Sequence, residues 1–131
     1  MDVEPGVALV CLGDMNGRLT SLEPNIVTDV NGKMLEDWVN RLDMHHLNLT
    51  EQCTGTYTFR SKNGKSAIDH ILVNEWLFEK YLGIHIDEDK TQLDISDHCV
   101  VRAAQRLLDR NSSLPESGPG RTVKDLFENE T

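Results

Sequence analysis

Short apolar runs bounded by glycine or polar residues divide the chain. The run from Val7 to Leu12 lies between two glycines and predicts a strand that is buried on both faces. Further apolar or β-branched segments predict strands at residues 47–49, 57–60, 67–73, 84–86 and 99–103. Asn63-Gly64 is a strong hairpin signal, so we expect residues 57–73 to form one β-hairpin.

Two segments carry the helical spacing of apolar residues. Leu35, Trp38, Val39 and Leu42 follow at i, i+3, i+4 and i+7, which predicts an amphipathic helix that begins near Asn31-Gly32. A short second helix is predicted over residues 75–82, and the adjacent histidines at 45 and 46 are expected on an exposed loop. The order β-α-β-β-β-α-β-β predicts a mixed α/β fold with an antiparallel hairpin.

The chain has 131 residues, which is the length of one domain. Residues 111–120 are rich in serine, proline and glycine, a composition typical of linkers. We therefore predict a folded unit over residues 1–110 and a flexible tail or linker over residues 111–131. One turn of amphipathic helix in that tail, at Val123, Leu126 and Phe127, is too short to be stable alone.

The formal charge is −9, from 22 acidic residues against 13 lysines and arginines. This balance argues against binding nucleic acid through bulk electrostatics, but it allows phosphate to be held through a divalent cation. Three cysteines without a C-x-x-C pair indicate neither a disulfide framework nor a zinc site, and favour an intracellular, reducing setting. No apolar run is long enough to span a membrane, so no membrane partner is expected. Nothing distinguishes nucleus from cytoplasm.

Carboxylates stand at two of the predicted strands. Asp14 and Asn16 follow the first strand and can point to one side of its end, although glycine, aspartate and asparagine also favour an ordinary turn. Asp69 lies within an apolar run, where alternation places it on the same face as Ile71 and Val73. A buried carboxylate needs a donor, and a histidine would be the most useful one. The alternatives are a turn cap or a backbone amide.

Ser96-Asp97-His98 precedes the last predicted strand. Asp69 bonded to one ring nitrogen of His98 would leave the other nitrogen free as a general base. The side chains of Asp97 and His98 diverge because they are adjacent, so one can face a metal and the other the substrate. Alternatively, Ser96 is a cap and Asp97 an ordinary surface acid.

Three motifs occur in order, each beside a short predicted strand: Gly13-Asp14-Met15-Asn16, Ser66-Ala67-Ile68-Asp69-His70-Ile71 and Ser96-Asp97-His98. Together with Gly55-Thr56-Tyr57-Thr58-Phe59, they resemble the endonuclease/exonuclease/phosphatase superfamily, and within it the endonuclease domain of LINE-type (non-LTR) retrotransposons. The resemblance covers roughly residues 7–104.

The resemblance implies a phosphodiester hydrolase that depends on Mg²⁺ or Mn²⁺. Asp14 and Asn16 would orient the attacking water and the scissile phosphate. Asp97, with Asp14, would belong to the metal site. His98 would contact the phosphate or act as the base, with Asp69 as its partner.

The same resemblance implies DNA as a partner. The turn at residues 60–66 occupies the place of a DNA-contacting hairpin in the retrotransposon enzymes, and its cations suit contacts to phosphate: Arg60, Lys62 and Lys65. Basic hairpin tips are also a common means of keeping proteins soluble.

The family fold is a four-layer α/β sandwich, and this sequence matches its C-terminal half. The family's main Mg²⁺ ligand, a glutamate of the N-terminal half, has no counterpart in a matching motif here. We therefore expect half of the sandwich, one mixed sheet covered by helices, with an exposed apolar face that associates with itself or a partner. Activity without the missing half is expected to be weak or absent. The alternatives are a non-catalytic relic that serves as an interaction module, and a phosphatase or RNA nuclease of the same fold.

Overall fold

Residues 6–91 and 95–106 are described in the computed structural model of this chain, so the predicted tail at 111–131 lies outside the described residues. Eight strands and two α-helices follow in the order β1 (Val10–Asp14), α1 (Val30–Arg41), β2 (His45–His46), β3 (Cys53–Thr54), β4 (Phe59–Ser61), β5 (Gly64–Ser66), β6 (Asp69–Val73), α2 (Glu75–Phe78), β7 (Tyr81–Ile86) and β8 (Val101–Gln105). The mixed α/β class is confirmed, as a partial α/β domain with its strands in several small sheets.

The first sheet has β6 at its centre, with β1 and β2 antiparallel on either side. The β1–β6 register runs from Val10 opposite Val73 to Asp14 opposite Asp69. Directly opposite residues share a face of the sheet, and so do alternate residues along one strand. Asp14 therefore lies on the same face as Val10 and Leu12, and Asp69 on the same face as Ile71 and Val73.

Helix α1 covers the other face of this sheet. The Asp29 side chain caps the helix by accepting a hydrogen bond from the Gly32 amide at 2.7 Å. Leu35 of the helix is buried in a cluster with Leu19 and Leu72, the latter on β6. The amphipathic spacing therefore predicted the helix, and Leu35, Val39 and Leu42 of its apolar face pack against this cluster, whereas Trp38 is 42% exposed.

The second sheet places β7 between β3, which is parallel to it, and β8, which is antiparallel. A second buried cluster lies between the two sheets and includes residues from both sheets and from α2: Leu47, Val73, Leu77, Ile84, Ile86 and Cys99. The two-stranded hairpin of β4 and β5 stands apart from both sheets. Its base approaches the segment before β8, where the Cys99 amide donates to the Thr58 carbonyl at 2.7 Å.

The prediction that the first strand is buried on both faces is wrong. Val10 and Leu12 are exposed, Leu12 at 69%. They line an apolar cleft of about 310 Å³ between β1 and β8, together with Leu47, Ile71, Val73, Leu77, Tyr81, Ala103, Ala104 and Gln105. We call this the apolar cleft. An exposed apolar face, as the family resemblance implied, is therefore present on this strand.

The predicted hairpin over residues 57–73 is also wrong in its second half. The Asn63-Gly64 turn closes a hairpin of only three register pairs, Phe59–Ser61 with Gly64–Ser66. The chain then leaves the hairpin and begins β6 at Asp69. The hydroxyl oxygen of Thr58 accepts hydrogen bonds from the amides of Ile68 (3.1 Å) and Asp69 (2.9 Å), which fixes this departure.

Three smaller expectations differ from the structure. Residues Leu47–Leu49 form a 3₁₀ helix rather than a strand. His45–His46 is a strand and not an exposed loop, with His46 buried. Helix α2 ends at Phe78, four residues before the predicted end at residue 82. The Lys80 amide donates to the Leu77 carbonyl in a turn, and β7 begins at Tyr81. Among the described residues, no helix has the length and apolar character needed to cross a membrane.

Candidate active site

Asp14 and Asp69 form the last register pair of β1 and β6, so their carboxylates stand side by side at one end of the sheet. Asp14 is exposed, whereas Asp69 is half-buried. Like charges directly opposite each other destabilise a strand pair. A positive group or a cation between these side chains would offset that cost.

His98 approaches both carboxylates. Its Nδ1 is 2.9 Å from Oδ2 of Asp69, a hydrogen bond, and its Nε2 is 3.8 Å from Oδ2 of Asp14. The structure thus brings together three of the predicted site residues from distant parts of the sequence. The Asp69–His98 pair is the one that the buried carboxylate of Asp69 predicted.

The hairpin and the segment before β8 hold His98 in this place. The Phe59 ring lies edge-on against the His98 imidazole with 5.3 Å between ring centroids, and the two residues form an isolated β-bridge. The His98 amide donates to the Ser96 hydroxyl at 3.1 Å, which agrees with the alternative interpretation of Ser96 as a cap. Lys90 Nζ donates to the carbonyls of Ser96 (2.7 Å) and Arg60 (3.0 Å), and so ties this segment to the hairpin.

Asn16 lies in the turn after β1 with a positive φ of 47°. Its backbone amide donates to Oδ1 of Asp14 at 2.8 Å, so it orients that carboxylate through the main chain rather than through its side chain. Its carbonyl accepts from Nδ2 of Asn31 in α1 at 3.2 Å. The predicted contact of the Asn16 side chain with substrate stays a prediction.

Asp97 stands apart from the carboxylate pair. It is exposed, and its backbone carbonyl accepts from the Arg60 amide at 2.7 Å. The one group of potential metal ligands within the described part of the chain consists of Asp14, Asp69 and His98, each with a ligand atom within 4.8 Å of the others. The geometry therefore brings Asp14 into this group and leaves Asp97 outside it.

The three predicted nucleic-acid contacts have different surroundings. Arg60 is in the middle register pair of the hairpin, opposite Lys65. Its guanidinium donates to the Glu88 carbonyl and lies 3.3 Å from the Asp89 carboxylate. Lys62 is exposed at the tip. Lys65 is exposed and its Nζ lies 4.3 Å from the centroid of the Tyr57 ring, a cation–π contact.

Residues 3–102 match the family model described as endonuclease-reverse transcriptase. The chain belongs to this family. Comparison with curated proteins and comparison with solved structures each find no match. The match covers all three motifs, and it covers Asp14, Asp69 and His98, which we call the carboxylate–histidine group. It supports the interpretation of the chain as a retrotransposon endonuclease-like domain.

Two positioning side chains of this endonuclease-like domain were missed in the sequence. Thr58 is fully buried and bonds the Asp69 amide through its hydroxyl, while its carbonyl accepts from the residue after His98. Asn48 donates to the Asp69 carbonyl at 3.1 Å and accepts from the Ile71 amide at 2.9 Å. It therefore extends the β2–β6 ladder with a side chain. The only sequence signal of Asn48 is a polar residue in a short apolar segment, which occurs in many proteins. Thr58 lies in the stretch 55–59 that contributed to the family resemblance, but its positioning role did not follow from that.

A buried histidine pair lies on the opposite face of β6. Nε2 of His46 is 3.0 Å from Nδ1 of His70, whose Nε2 is 2.7 Å from the Gly17 carbonyl oxygen. Burial lowers the pKa of His46 to about 3, with a contribution from His70, and burial also lowers the pKa of His70. Both rings are consequently neutral at physiological pH.

The carboxylate–histidine group fits a hard divalent cation. The carboxylates of Asp14 and Asp69 are oxygen ligands that Mn²⁺ accepts, and Mg²⁺ is held by one or two carboxylates together with water and phosphate oxygens. Asp14 is exposed, so its oxygens are open to solvent. A cation here would also offset the repulsion between the paired carboxylates.

Proposed function

We propose that this endonuclease-like domain hydrolyses phosphodiester bonds of DNA with Mg²⁺ or Mn²⁺ as cofactor. The observation that carries the proposal is the position of His98, hydrogen-bonded to Asp69 on one side and 3.8 Å from Asp14 on the other. A histidine between two carboxylates, beside the open end of a strand pair, has the partners that general-base chemistry needs.

In this proposal His98 takes the proton from the attacking water. Asp69 accepts a hydrogen bond from Nδ1–H and so fixes the tautomer, which leaves Nε2 with its lone pair. The water oxygen bonds to phosphorus, its proton passes to Nε2, and the bond between phosphorus and the leaving oxygen breaks. The leaving oxygen takes a proton from solvent.

Asp14 and Asp69 would hold the cation, and Asn16 would contact a phosphate oxygen through its side-chain amide. The cation, when bound, neutralises charge on the phosphate. A metal role for Asp97 is retained as a prediction, but the group formed by Asp14, Asp69 and His98 favours Asp14 as the ligand.

DNA contacts are proposed for the hairpin. Lys62 and Lys65 are both exposed, and contacts from lysine or arginine to phosphate oxygens position a duplex without reading its sequence. Arg60 contributes less directly in this proposal, because its guanidinium is bonded to the loop that contains Glu88.

Nicking of supercoiled plasmid with Mg²⁺ or Mn²⁺ tests this function, with single-stranded RNA and a small phosphate monoester as competing substrates. Under conditions where wild type nicks, with an N-terminal half of a related domain added if needed, we expect the rate to fall by about 10²- to 10⁴-fold in His98→Ala, the range for loss of a general base. His45→Ala is the matched control, since His45 bonds Glu75 and lies outside the site. Equal nicking by the two variants would contradict the proposal, as would hydrolysis of RNA or the monoester alone.

The chain tested alone, and again with an N-terminal half of a related domain supplied in trans, separates catalysis from completion of the fold. We expect weak nicking or none alone and stronger nicking with the added half. If wild type does not nick DNA under either condition, with Mg²⁺ or with Mn²⁺, the proposal that this domain is a hydrolase is wrong.

A second candidate function, a protein interaction module, is favoured by the apolar cleft. Leu12 is 69% exposed and Val10 41%, and both lie on one face of β1. Exposed apolar residues that adjoin a cleft are typical of association sites. In this candidate, a second copy or a partner chain packs against β1 and uses no chemistry of the carboxylates.

Sedimentation of wild type and of Leu12→Lys tests association. We expect a concentration-dependent increase in mass for wild type that the lysine removes. Val27→Lys is the matched control, because Val27 is 85% exposed and does not line the cleft. A monomer at all concentrations, without affinity for the added half, would exclude this candidate.

A further inference from the structure

The buried histidine pair is linked to the turn that carries Asp14 and Asn16. His70 is fully buried, and its Nε2 is 2.7 Å from the carbonyl oxygen of Gly17, which follows Asn16 directly. A carbonyl can only accept, so Nε2 of His70 carries a proton and donates it. The imidazole therefore fastens the turn to β6.

The Gly17 carbonyl fixes the proton of His70 on Nε2, and His46 contacts the other ring nitrogen, Nδ1. Two ring nitrogens 3.0 Å apart share one proton, so one of them donates and the other accepts. With Nε2 of His70 already a donor in a neutral ring, its Nδ1 is the acceptor, and Nε2 of His46 is the donor. The planes of the two rings meet at 69°, with 4.9 Å between the ring centroids.

The neighbours Asp69 and His70 point to opposite faces of β6. Asp69 bonds His98 on one face, and His70 bonds the Gly17 carbonyl on the other. One strand thus fixes the histidine of the site through one residue and the Asp14 turn through the next. Movement of the turn would change the distance between the two carboxylates.

Gly17 is confined on its other side by helix α1. A Cβ added at Gly17 would lie 3.0 Å from backbone atoms of both Asn31 and Gly32. Gly17 itself is buried, and a buried carbonyl left without its donor costs free energy. The turn is therefore held between α1 and the imidazole of His70.

We propose that His70 is a positioning residue that sets the place of Asp14 and Asn16, and that His46 holds it in the tautomer that donates to Gly17. The role of Asp14 and Asn16 in catalysis rests on the proposed hydrolase function. Their positioning by His70 does not, because it depends only on hydrogen bonds within the chain.

Long-range ¹H–¹⁵N spectra of the imidazoles in the full chain test the tautomers. We expect Nε2 of both rings to carry a proton and Nδ1 of His70 to carry none. A proton on Nδ1 of His70 would overturn the proposal. This measurement needs no substitution and therefore does not depend on whether a variant folds.

Amide hydrogen exchange in His70→Leu and His46→Leu tests whether these residues position the turn. His45→Leu is the matched control, because His45 is the neighbour of His46 on β2. In His70→Leu we expect exchange at Asn16, Gly17 and Arg18 to rise by about tenfold, the value of one lost hydrogen bond. A smaller rise is expected in His46→Leu, which leaves the Gly17 bond possible. The β7–β8 amides and the control should show no such local rise.

A uniform rise across the chain would reduce His70 to a general stabilising residue and overturn the proposal, and so would no rise. Should His70→Leu fail to fold, the His46→Leu exchange pattern and the wild-type tautomers decide. Mn²⁺-dependent nicking is measured in parallel, and we expect His70→Leu to need several-fold more Mn²⁺ for half-maximal nicking. If wild type does not nick DNA at any Mn²⁺ concentration, the hydrolase function is contradicted. The hydrogen-exchange result then tests the positioning role of His70 independently.

Discussion

Asp14 and Asp69 face each other in the final register pair of β1 and β6, with His98 in contact with the latter. Two carboxylates opposed in this way repel each other when no cation is bound. The stability of the chain should therefore depend on a divalent cation, and the dependence should disappear when one carboxylate is neutralised.

Asp14→Asn tests that dependence. Without metal, we expect a stability gain of about 0.2–1 kcal/mol from the removed repulsion. With MnCl₂, wild type should gain thermal stability and the variant should not. Melting curves with and without metal measure both effects. Asp37→Asn, on the exposed side of α1 and paired with Arg41, is the control and should keep the response to metal. An unchanged response in Asp14→Asn would remove Asp14 from the cation site.

Thr58→Val should destabilise the chain by about 1–3 kcal/mol, because it leaves buried amides without an acceptor. The two amides are those of Ile68 and Asp69, and Thr58 is fully buried. Thr58→Ser keeps the hydroxyl and is the matched control. Urea unfolding measures the difference, and equal losses in the two variants would assign the effect to packing instead.

Gly32→Ala should destabilise by about 1–3 kcal/mol through steric overlap, although alanine is the better helix former. A Cβ at this position would lie 2.3 Å from the Arg18 carbonyl oxygen, closer than any real Cβ contact. Lys33→Ala on the exposed side of the same turn should change stability by less than about 0.5 kcal/mol. Similar unfolding midpoints for both variants would show that the helix shifts to make room.

The buried His46 should make stability fall with pH below neutrality. Its pKa is about 3 in the folded chain, against an ordinary value of 6.5, because it is buried beside His70. Between these values the unfolded state binds more protons, so stability decreases as pH falls from 6.5 to 3, with a slope of at most about 1.4 kcal/mol per pH unit from this group.

Urea unfolding at several pH values from 7 to 5 measures this slope. We expect a shallower dependence in His46→Leu than in wild type, while His45→Leu should follow wild type. Parallel curves for wild type and His46→Leu would mean that the ring is protonated in the folded state without cost.

The contact between Asp69 and His98 was easier to predict from the sequence than the strand pairing. Asp69 within an apolar run required a donor, and burial physics together with the motif order led to His98. The helix at 30–41 followed from its apolar spacing. The helix depends on a local pattern, and the Asp69–His98 contact on the cost of burying a charge. Both can be inferred from the sequence without knowing which strands pair.

Features that depend on distant partners were missed. The hairpin signal at Asn63-Gly64 was correct, but only the Thr58 hydroxyl and the pairing with β1 decide that β6 leaves the hairpin. His46 looked like a loop residue because its partner, His70, is 24 positions away. The parallel pairing of β3 with β7 rests on two residues at each strand and has no recognisable local signal.

The hairpin of β4 and β5 touches the candidate active site only at its base. Phe59 lies against His98, whereas Lys62 and Asn63 are exposed beyond the last register pair, Ser61 with Gly64. A change in the length or charge of that tip leaves the Asp69–His98 pair where it is. Selection, or a protein engineer, can therefore vary the outer contacts of the domain while the Asp69–His98 hydrogen bond is kept.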